Sequence, residues 1–464
     1  VSATSLAAGL AFGRAVALAR MLPVEAFGVY ALAVSLVTWS GYLGTLGLSG
    51  ALLHRAPETE NEERAAAVHF TLTAALTLAW GAAMAAIAAI AADGPLRLAL
   101  VALTLTACAA NLAETPRTLL VRRVEHGRLA AAEVLGTVAS IAAAVPVAIA
   151  GGGLLALVAG DLAIAFTSIA VLYLWRPVWR PRLTDPRSEA RYFLRFGAQA
   201  TATSLLAVSL VRLDKVWTGL ALGQVQLGYY SRAAVFAGYP QQVLLAPIES
   251  VARGGFAEIA HDRARLSRAF LRAGALVTRA ACGVAGALAL AAPELVTLVL
   301  GARWLPMVPA FRVLLLAAVL APLRVLLSSL FVAVGRPGIE ARAGVVQLAV
   351  LAAGLAAAGD RLDTVRVAAA LCAALAAGVA LMLLWAQRHV DLSFHRLAAT
   401  PAPAAALALA AGWAAAQAAA AGPAPVVGLV KLAAFGLAYA AALVVLEPRW
   451  LAELLAPARR GVGT

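Results

Sequence analysis

Apolar runs of about 20 residues follow one another along nearly the whole chain, each long enough to cross a bilayer core of about 30 Å. Backbone polar groups inside a bilayer must be satisfied within the protein, so only helices or closed barrels can span it. These runs are built from Ala, Leu, Val and Gly. They lack the alternation over about 10 residues that marks barrel strands. The composition agrees: 63% of the residues are hydrophobic and 13% charged, against about 45–50% and about 25% in soluble domains. The expected fold class is an all-α polytopic membrane protein with about fourteen spans. They fall near 2–22, 28–52, 66–91, 96–116, 130–150, 154–175, 196–222, 227–252, 273–300, 308–334, 341–358, 364–387, 402–421 and 425–446.

The loops between the runs set the orientation. Of the 37 Lys and Arg residues, 24 lie in one alternating set of loops and the C-terminal tail, and 5 in the opposite set. The positive-inside rule places the first set, and with it both termini, in the cytoplasm. The formal net charge of +14 fits this topology and attraction to anionic membrane lipids, and adds affinity for an anionic substrate. The first run carries Arg14 and Arg20, unlike a cleavable signal peptide. A start at Val1, already inside a span, suggests a missing short leader or an alternative start. The longest loop, 176–195, holds Pro177, Pro181 and Pro186 and divides the chain. The expected organisation is an N-lobe at 1–176, a linker at 177–195, a C-lobe at 196–390, two further spans at 400–447 and a cytoplasmic tail at 448–464.

No loop is long enough for a folded extramembrane domain, which excludes nucleic acid as a partner. No HExxH, Walker A, DxD or GxSxG motif is present, so neither an enzyme nor an ATP-driven pump is expected, and no cofactor or metal. Cys108, Cys282 and Cys372 are odd in number, lack metal-ligand spacing and fall inside apolar runs. They read as small core residues.

The chain repeats itself at an offset of 200. Arg14, Leu22, Gly28 and Tyr30 correspond to Asp214, Leu222, Gly228 and Tyr230. In each copy a charge sits inside an apolar helix and is followed by a Gly-aromatic turn. Both copies enter the membrane in the same direction, which describes parallel repeats about an axis along the membrane normal. A charge at mid-membrane costs about 2.5–3.5 kcal/mol and marks a functional site. Arg212 and Lys215 are three apart and share a face. Asp214 is adjacent to Lys215 and is not expected to face it, so it needs a partner from another helix or water. The expected substrate cavity is lined by Arg14, Arg212, Asp214, Lys215 and Arg232, with Arg14 facing the 212–215 group across a central cleft. The competing expectation is internal ion pairing that fixes helix packing.

Arg265, Arg268, Arg272 and Arg279 fall within about 60° on a helical wheel and form a basic stripe rising from the cytoplasm. It reads either as snorkelling anchors or as an access path for a phosphate-bearing headgroup. Asp161, Asp214 and Glu249 are the candidates for a coupling proton or cation. Trp39, Trp175, Trp179, Trp217, Tyr229, Tyr230 and Trp304 read as an interfacial aromatic belt. Pro240, Pro247 and Pro322 predict kinks.

Four stretches carry a family likeness. They are Leu18-Ala19-Arg20-Met21-Leu22…Phe27-Gly28-Val29-Tyr30-Ala31-Leu32-Ala33, Leu213-Asp214-Lys215…Gly219…Leu222-Gly223…Leu227-Gly228-Tyr229-Tyr230, Pro247…Phe256…Asp262…Leu266…Arg268-Ala269-Phe270, and Leu300-Gly301-Ala302-Arg303-Trp304…Pro309…Leu314. In these the chain resembles the oligosaccharide/polysaccharide flippases of the multidrug/oligosaccharidyl-lipid/polysaccharide exporter superfamily. The likeness covers the chain to about residue 340; the last four spans match in hydropathy alone. It implies movement of an undecaprenyl-diphosphate-linked glycan between leaflets of a bacterial inner membrane, by alternating access around a cationic cavity. Implied partners are that lipid-linked glycan, membrane lipids, a glycan polymerase and glycosyltransferases. The related lipid II flippases use first-helix arginines, and Arg14 is the similar position here. Where the family usually has Leu-Gly-Pro, this chain has Leu22-Pro23-Val24. Alternatives are a multidrug or metabolite antiporter of the same superfamily and a non-transporting scaffold for glycan assembly.

Overall fold

In the computed structural model the chain is helical, and the structure describes residues 2–55, 61–175, 177–393, 400–419 and 422–447. Among these residues are sixteen α-helices and no strand. Ten of the expected spans meet both the length and the apolarity needed to cross a membrane. The chain divides into two compact units, Val1–Ser231 and Arg232–Thr464.

The first unit begins with α1 (Ser2–Met21), α2 (Val24–Thr45), the short α3 (Leu48–His54), α4 (Glu62–Ala91) and α5 (Gly94–Leu112). It continues with the short α6 (Glu114–Arg122), α7 (His126–Ile149) and α8 (Leu154–Ile169), which ends in a π-helical turn at Ala170–Leu174. Helix α1 packs on α7, α7 on α8, and α2 on α4, α5 and α8. A bend at Leu46 and Gly47, both at positive φ, separates α3 from α2 within one expected span. Helix α6 begins at the end of the span predicted over 96–116 and continues into the predicted loop. Its amphipathic stretch buries Leu119 and Leu120, while Arg122 Nη1 donates to the Leu52 carbonyl at 3.3 Å.

The basic loops are partly helical because caps extend the spans into them. The Asn61 side chain accepts from Arg64 N and starts α4, and Asp262 accepts from Arg265 N at the start of the tenth helix. Such side-chain acceptors satisfy amides that have no partner inside the helix.

Helix α9 (Arg187–Glu258) contains two expected spans. It leaves helical geometry at Gly223, with φ 83° and ψ 176°, a region open to glycine. The repeat sets Gly223 opposite Pro23, which precedes α2 in extended conformation, so both copies break at one place by different means. The residues of α9 before that break run antiparallel along α2. Trp39 Nε1 donates to Ser209 Oγ at 2.8 Å, and Leu32 packs beside Gly219. Beyond the break the two copies cross on glycines. A β-carbon on Gly28 would lie 1.7 Å from the Gln224 carbonyl oxygen, and one on Gly228 would lie 2.3 Å from that of Val24.

The second unit continues with α10 (Arg263–Leu290), α11 (Ala292–Val299), α12 (Val308–Ala333), α13 (Gly338–Ala358) and α14 (Thr364–Ala386). Helices α15 (Pro401–Ala418) and α16 (Ala424–Leu446) complete it. Its main core gathers Phe256, Phe270, Leu326, Leu330, Phe331 and Met382. Helices α15 and α16 pair with each other and dock on α10, where Tyr439 donates to the Arg279 carbonyl at 2.8 Å. Helix α12 runs on through Pro322. The side chains of Pro240, Pro247 and Glu249 lie outside the described residues. Of the aromatics expected to form a belt, Trp39, Trp175 and Trp217 are exposed and three others are not. Tyr230 and Trp304 are fully buried and Trp179 packs in the core around Phe193.

Candidate functional site

Inside the first unit two clusters of charge form around two equivalent tyrosines. In the first, Arg14 of α1 reaches between α7 and α8. Its Nη1 donates to Ser140 Oγ and lies 3.9 Å from Asp161 Oδ1. The Tyr30 hydroxyl of α2 donates to Asp161 Oδ2 at 2.5 Å. Space for the guanidinium comes from Gly160, where a β-carbon would stand 3.0 Å from Arg14 Nη1 and 2.8 Å from Ser140 Oγ. Four helices thus converge on one ion pair, and both its members keep part of their surface open, 23% for Arg14 and 18% for Asp161.

In the second cluster Asp214 is fully buried. The Tyr230 hydroxyl donates to its Oδ2 at 2.7 Å, and Lys215 Nζ lies 3.3 Å from the same oxygen. Tyr230 is the partner expected from beyond Asp214's own helical segment. The contact with Lys215 corrects the expectation that adjacent residues cannot meet. The long lysine stem folds back so that Nζ donates to the Val211 carbonyl at 2.8 Å, and this path carries the ammonium past Asp214. Thr218 donates to the Asp214 carbonyl at 2.6 Å.

Arg212 differs from these groups. Among the described residues it makes no hydrogen bond or ion pair, and its Nε is buried without an acceptor. Its electrostatic neighbours are Asp214, Tyr30 and Tyr42. Tyr30, which bonds Asp161, is thus also among the electrostatic neighbours of Arg212. The structure does not bring Arg14 into contact with Asp214 or Lys215; Arg14 has its own carboxylate. Arg232, the first residue of the second unit, is buried.

Sequence reasoning missed Ser140, Gly160 and the hydroxyls of Tyr30 and Tyr230. The repeat aligns the two tyrosines, and in sequence that alignment looks like a turn marker. Asp161 and Asp214 come from different helices and do not align, so their shared dependence on the tyrosines is invisible in one dimension.

The basic stripe is only partly as expected. Arg265, Arg268 and Arg272 are exposed on the opening turns of α10. Beside them Asp262 is held below the usual carboxylate range, first by the Arg265 amide and then by other groups that include the Arg265 and Arg268 guanidinium groups. Arg279 leaves the stripe: it is 4% exposed, and its Nε donates to Glu447 Oε2 at 2.7 Å. Its Nη1 donates to the Ala275 carbonyl at 2.7 Å. Helical angle placed Arg279 with the others, but the end of α16 supplies a carboxylate that draws it inward. A second ion pair joins Lys431 of α16 to Glu294 of α11 at 2.6 Å. Among the described residues no cluster of His, Cys, Asp or Glu could hold a metal ion.

The profile of a family described as "Polysaccharide biosynthesis protein" matches residues 17–309. The chain is 27% identical over 300 residues to the succinoglycan biosynthesis transport protein ExoT of Rhizobium meliloti (strain 1021). That match covers 64% of this chain and 60% of the relative, so the chain spans less than two thirds of the relative's length. In fold it is similar to the lipid II flippase MurJ in an inward closed conformation, with a TM-score of 0.80, 11% identity and coverage of 97% and 98% of the two chains. An inward-facing multidrug resistance MATE family transporter of the MOP superfamily gives a TM-score of 0.62 at 17% identity, covering 82% of this chain and 93% of that one.

Proposed function

The chain belongs to the polysaccharide biosynthesis protein family, and from that premise we propose that it flips a lipid-linked oligosaccharide across a bacterial inner membrane. The cargo is an oligosaccharide carried on undecaprenyl diphosphate and moved from the inner to the outer leaflet by alternating access. The observation that carries this reading is the interior charge cluster of the first unit, where Arg14, Arg212 and Lys215 stand with Asp161 and Asp214 among apolar helices. Three cations against two acids leave a net positive site, which suits a diphosphate and disfavours a cationic drug. Asp161 and Asp214 are the acids at which a coupling proton or cation exchanges. Arg265, Arg268 and Arg272 form the cytoplasmic access path for the headgroup.

The test is depletion of the protein in its own cell, with the lipid-linked glycan assayed for leaflet. Accumulation of that glycan in the inner leaflet is the expected result. Continued appearance of the glycan outside at the normal rate sinks the reading. A scaffold for glycan assembly, by contrast, would tolerate Lys215→Glu with normal transport.

A further inference from the structure

Away from the interior charges, the first unit holds a cleft of about 210 Å³ beside the segment that follows α8. Residues of the segment 177–182 line one side of it, and α4 and α6 line the rest. The segment is anchored. The Trp179 ring meets Phe70 at 5.5 Å, Thr184 N donates to Thr71 Oγ1 at 3.1 Å, and Pro177 and Pro181 fix φ on either side of Trp179 and Arg180. The cleft is rich in donors. Its two carboxylates are already met: Arg123 of α6 reaches both oxygens of Glu62, at 3.3 and 3.1 Å, and Arg182 lies 3.4 Å from Glu63. The third guanidinium, that of exposed Arg180, makes no hydrogen bond or ion pair among the described residues. The amides of Val178, Trp179, Arg180 and Arg182 likewise have no acceptor there, although Trp179 is only 8% exposed. A backbone N–H held out of water needs a partner, and successive free amides suit an anion. The remaining lining is apolar, from Leu119, Val178 and Trp179.

We propose that this cleft binds a phosphate ester, with Arg180 and the amides of its segment on the phosphoryl oxygens and the carbon part of the ester on Leu119, Val178 and Trp179. Three guanidinium groups against two acids leave the cleft net positive, and the planar fork of an arginine matches phosphate oxygens in pairs. Arg123 and Arg182 stand beside the bound group while still holding their glutamates. A volume of about 210 Å³ is many times what one water needs, so it admits the phosphate together with the first atoms of its ester. None of Arg14, Asp161, Arg212, Asp214 and Lys215 lines the cleft, so the site is separate from the proposed cargo site. A ligand held here ties the segment that joins the two expected lobes to α4 and α6. Two sources carry this chemistry, the headgroup of an anionic lipid and a soluble nucleotide.

The purified full chain in detergent is titrated by calorimetry with dihexanoyl phosphatidylglycerol, adenosine monophosphate and inorganic phosphate. At least one ester is expected to bind tenfold or more tightly than inorganic phosphate, because only an ester covers the apolar lining. Tighter binding of the phosphatidylglycerol assigns the site to a lipid headgroup, tighter binding of the nucleotide to a soluble ligand, and equal binding to phosphate esters of both kinds. Arg180→Gln removes a side chain that holds nothing else in place and is expected to weaken the better ester fivefold or more. Arg187→Gln makes the same change of charge at a side chain that is 91% exposed and outside the cleft; it is expected to stay within twofold of the parent. Elution of each variant as the same monodisperse peak confirms that it is folded. The proposal is overturned if neither ester binds, if inorganic phosphate binds as tightly as the better ester, if Arg180→Gln costs less than fivefold, or if Arg187→Gln costs as much. Each of those results leaves the flippase reading standing if depletion still traps the glycan.

Discussion

Gly28 lies against the carbonyl of Gln224, and Gly228, its equivalent 200 residues later, lies against the carbonyl of Val24. Val24 and Gln224 are themselves equivalent, so each copy offers a bare α-carbon to the backbone of the other. Close backbone approach through small residues is the usual way for helices to associate where lipid removes the hydrophobic drive.

Gly28→Ala and Gly228→Ala are therefore expected to destabilise the protein by about 1–3 kcal/mol each, because backbone must shift to admit the methyl group. Gly223→Ala is expected to cost about 1–3 kcal/mol for its backbone conformation alone, which is essentially confined to glycine, since space there is open. Gly13→Ala, in open space within α1, is expected to be neutral or to stabilise by up to about 1 kcal/mol. Thermal denaturation of the four variants in one detergent, followed by size exclusion, ranks them. Equal melting of Gly28→Ala and Gly13→Ala contradicts the packing described.

Removal of one partner from the Arg14–Asp161 pair strands the other charge. Such losses reach about 3–5 kcal/mol for fully buried pairs; here the partial exposure of both side chains lowers the expectation to about 1–3 kcal/mol. Arg14→Gln and Asp161→Asn should each lower the melting temperature, and the double variant should lie above the sum of the two losses. Additive losses in that double-mutant cycle would show that the two side chains do not interact.

Arg279 and Glu447 are expected to behave as structural partners. Arg279→Ala should destabilise the protein, whereas Arg279→Met with Glu447→Leu should be neutral or stabilising, as apolar replacements of buried pairs often are. Transport by the folded double variant should stay within about threefold of the parent, a margin of under 1 kcal/mol. By contrast, Arg268→Gln, in the exposed stripe, should reduce transport with little change in stability. Loss of transport in the double variant at normal protein level would return Arg279 to the substrate path.

His389, just past α14, is held below the usual histidine range by burial and then by Arg336, Arg263 and Arg388. A histidine kept neutral by the fold is protonated first in the unfolded chain. Its contribution is present in full above the ordinary value of about 6.5 and is lost as pH falls through that value toward the lower folded-state one. Stability should therefore decline as pH falls below about 6.5, and His389→Gln should flatten that part of the profile. An unchanged slope in the variant removes His389 from the account.

The spans were legible because membrane crossing leaves a signal of length and composition that survives without tertiary information. The break in α9 was also legible, since Gly223 falls between two apolar runs. Helix α6 was not, because a short basic amphipathic stretch reads as loop until Leu119 and Leu120 find a core. The charged residues were easy to find and hard to pair. The positions of Arg14, Asp214 and Lys215 stand out in the sequence, but Asp161 reaches Arg14 through a fold that brings α1, α7 and α8 together. Arg279 shows the same limit: its helical angle was correct, and a carboxylate 168 residues away decided where it points.

The crossed glycines bear on ancestry. In a protein made of a single copy of the repeat, residue 24 of one subunit would meet residue 28 of its twin, and the reverse, which is an isologous contact of the kind that closes a two-fold dimer. Gene fusion would then have turned an interface between subunits into an internal crossing, freeing the two copies of the charge to diverge into an arginine at 14 and an aspartate at 214.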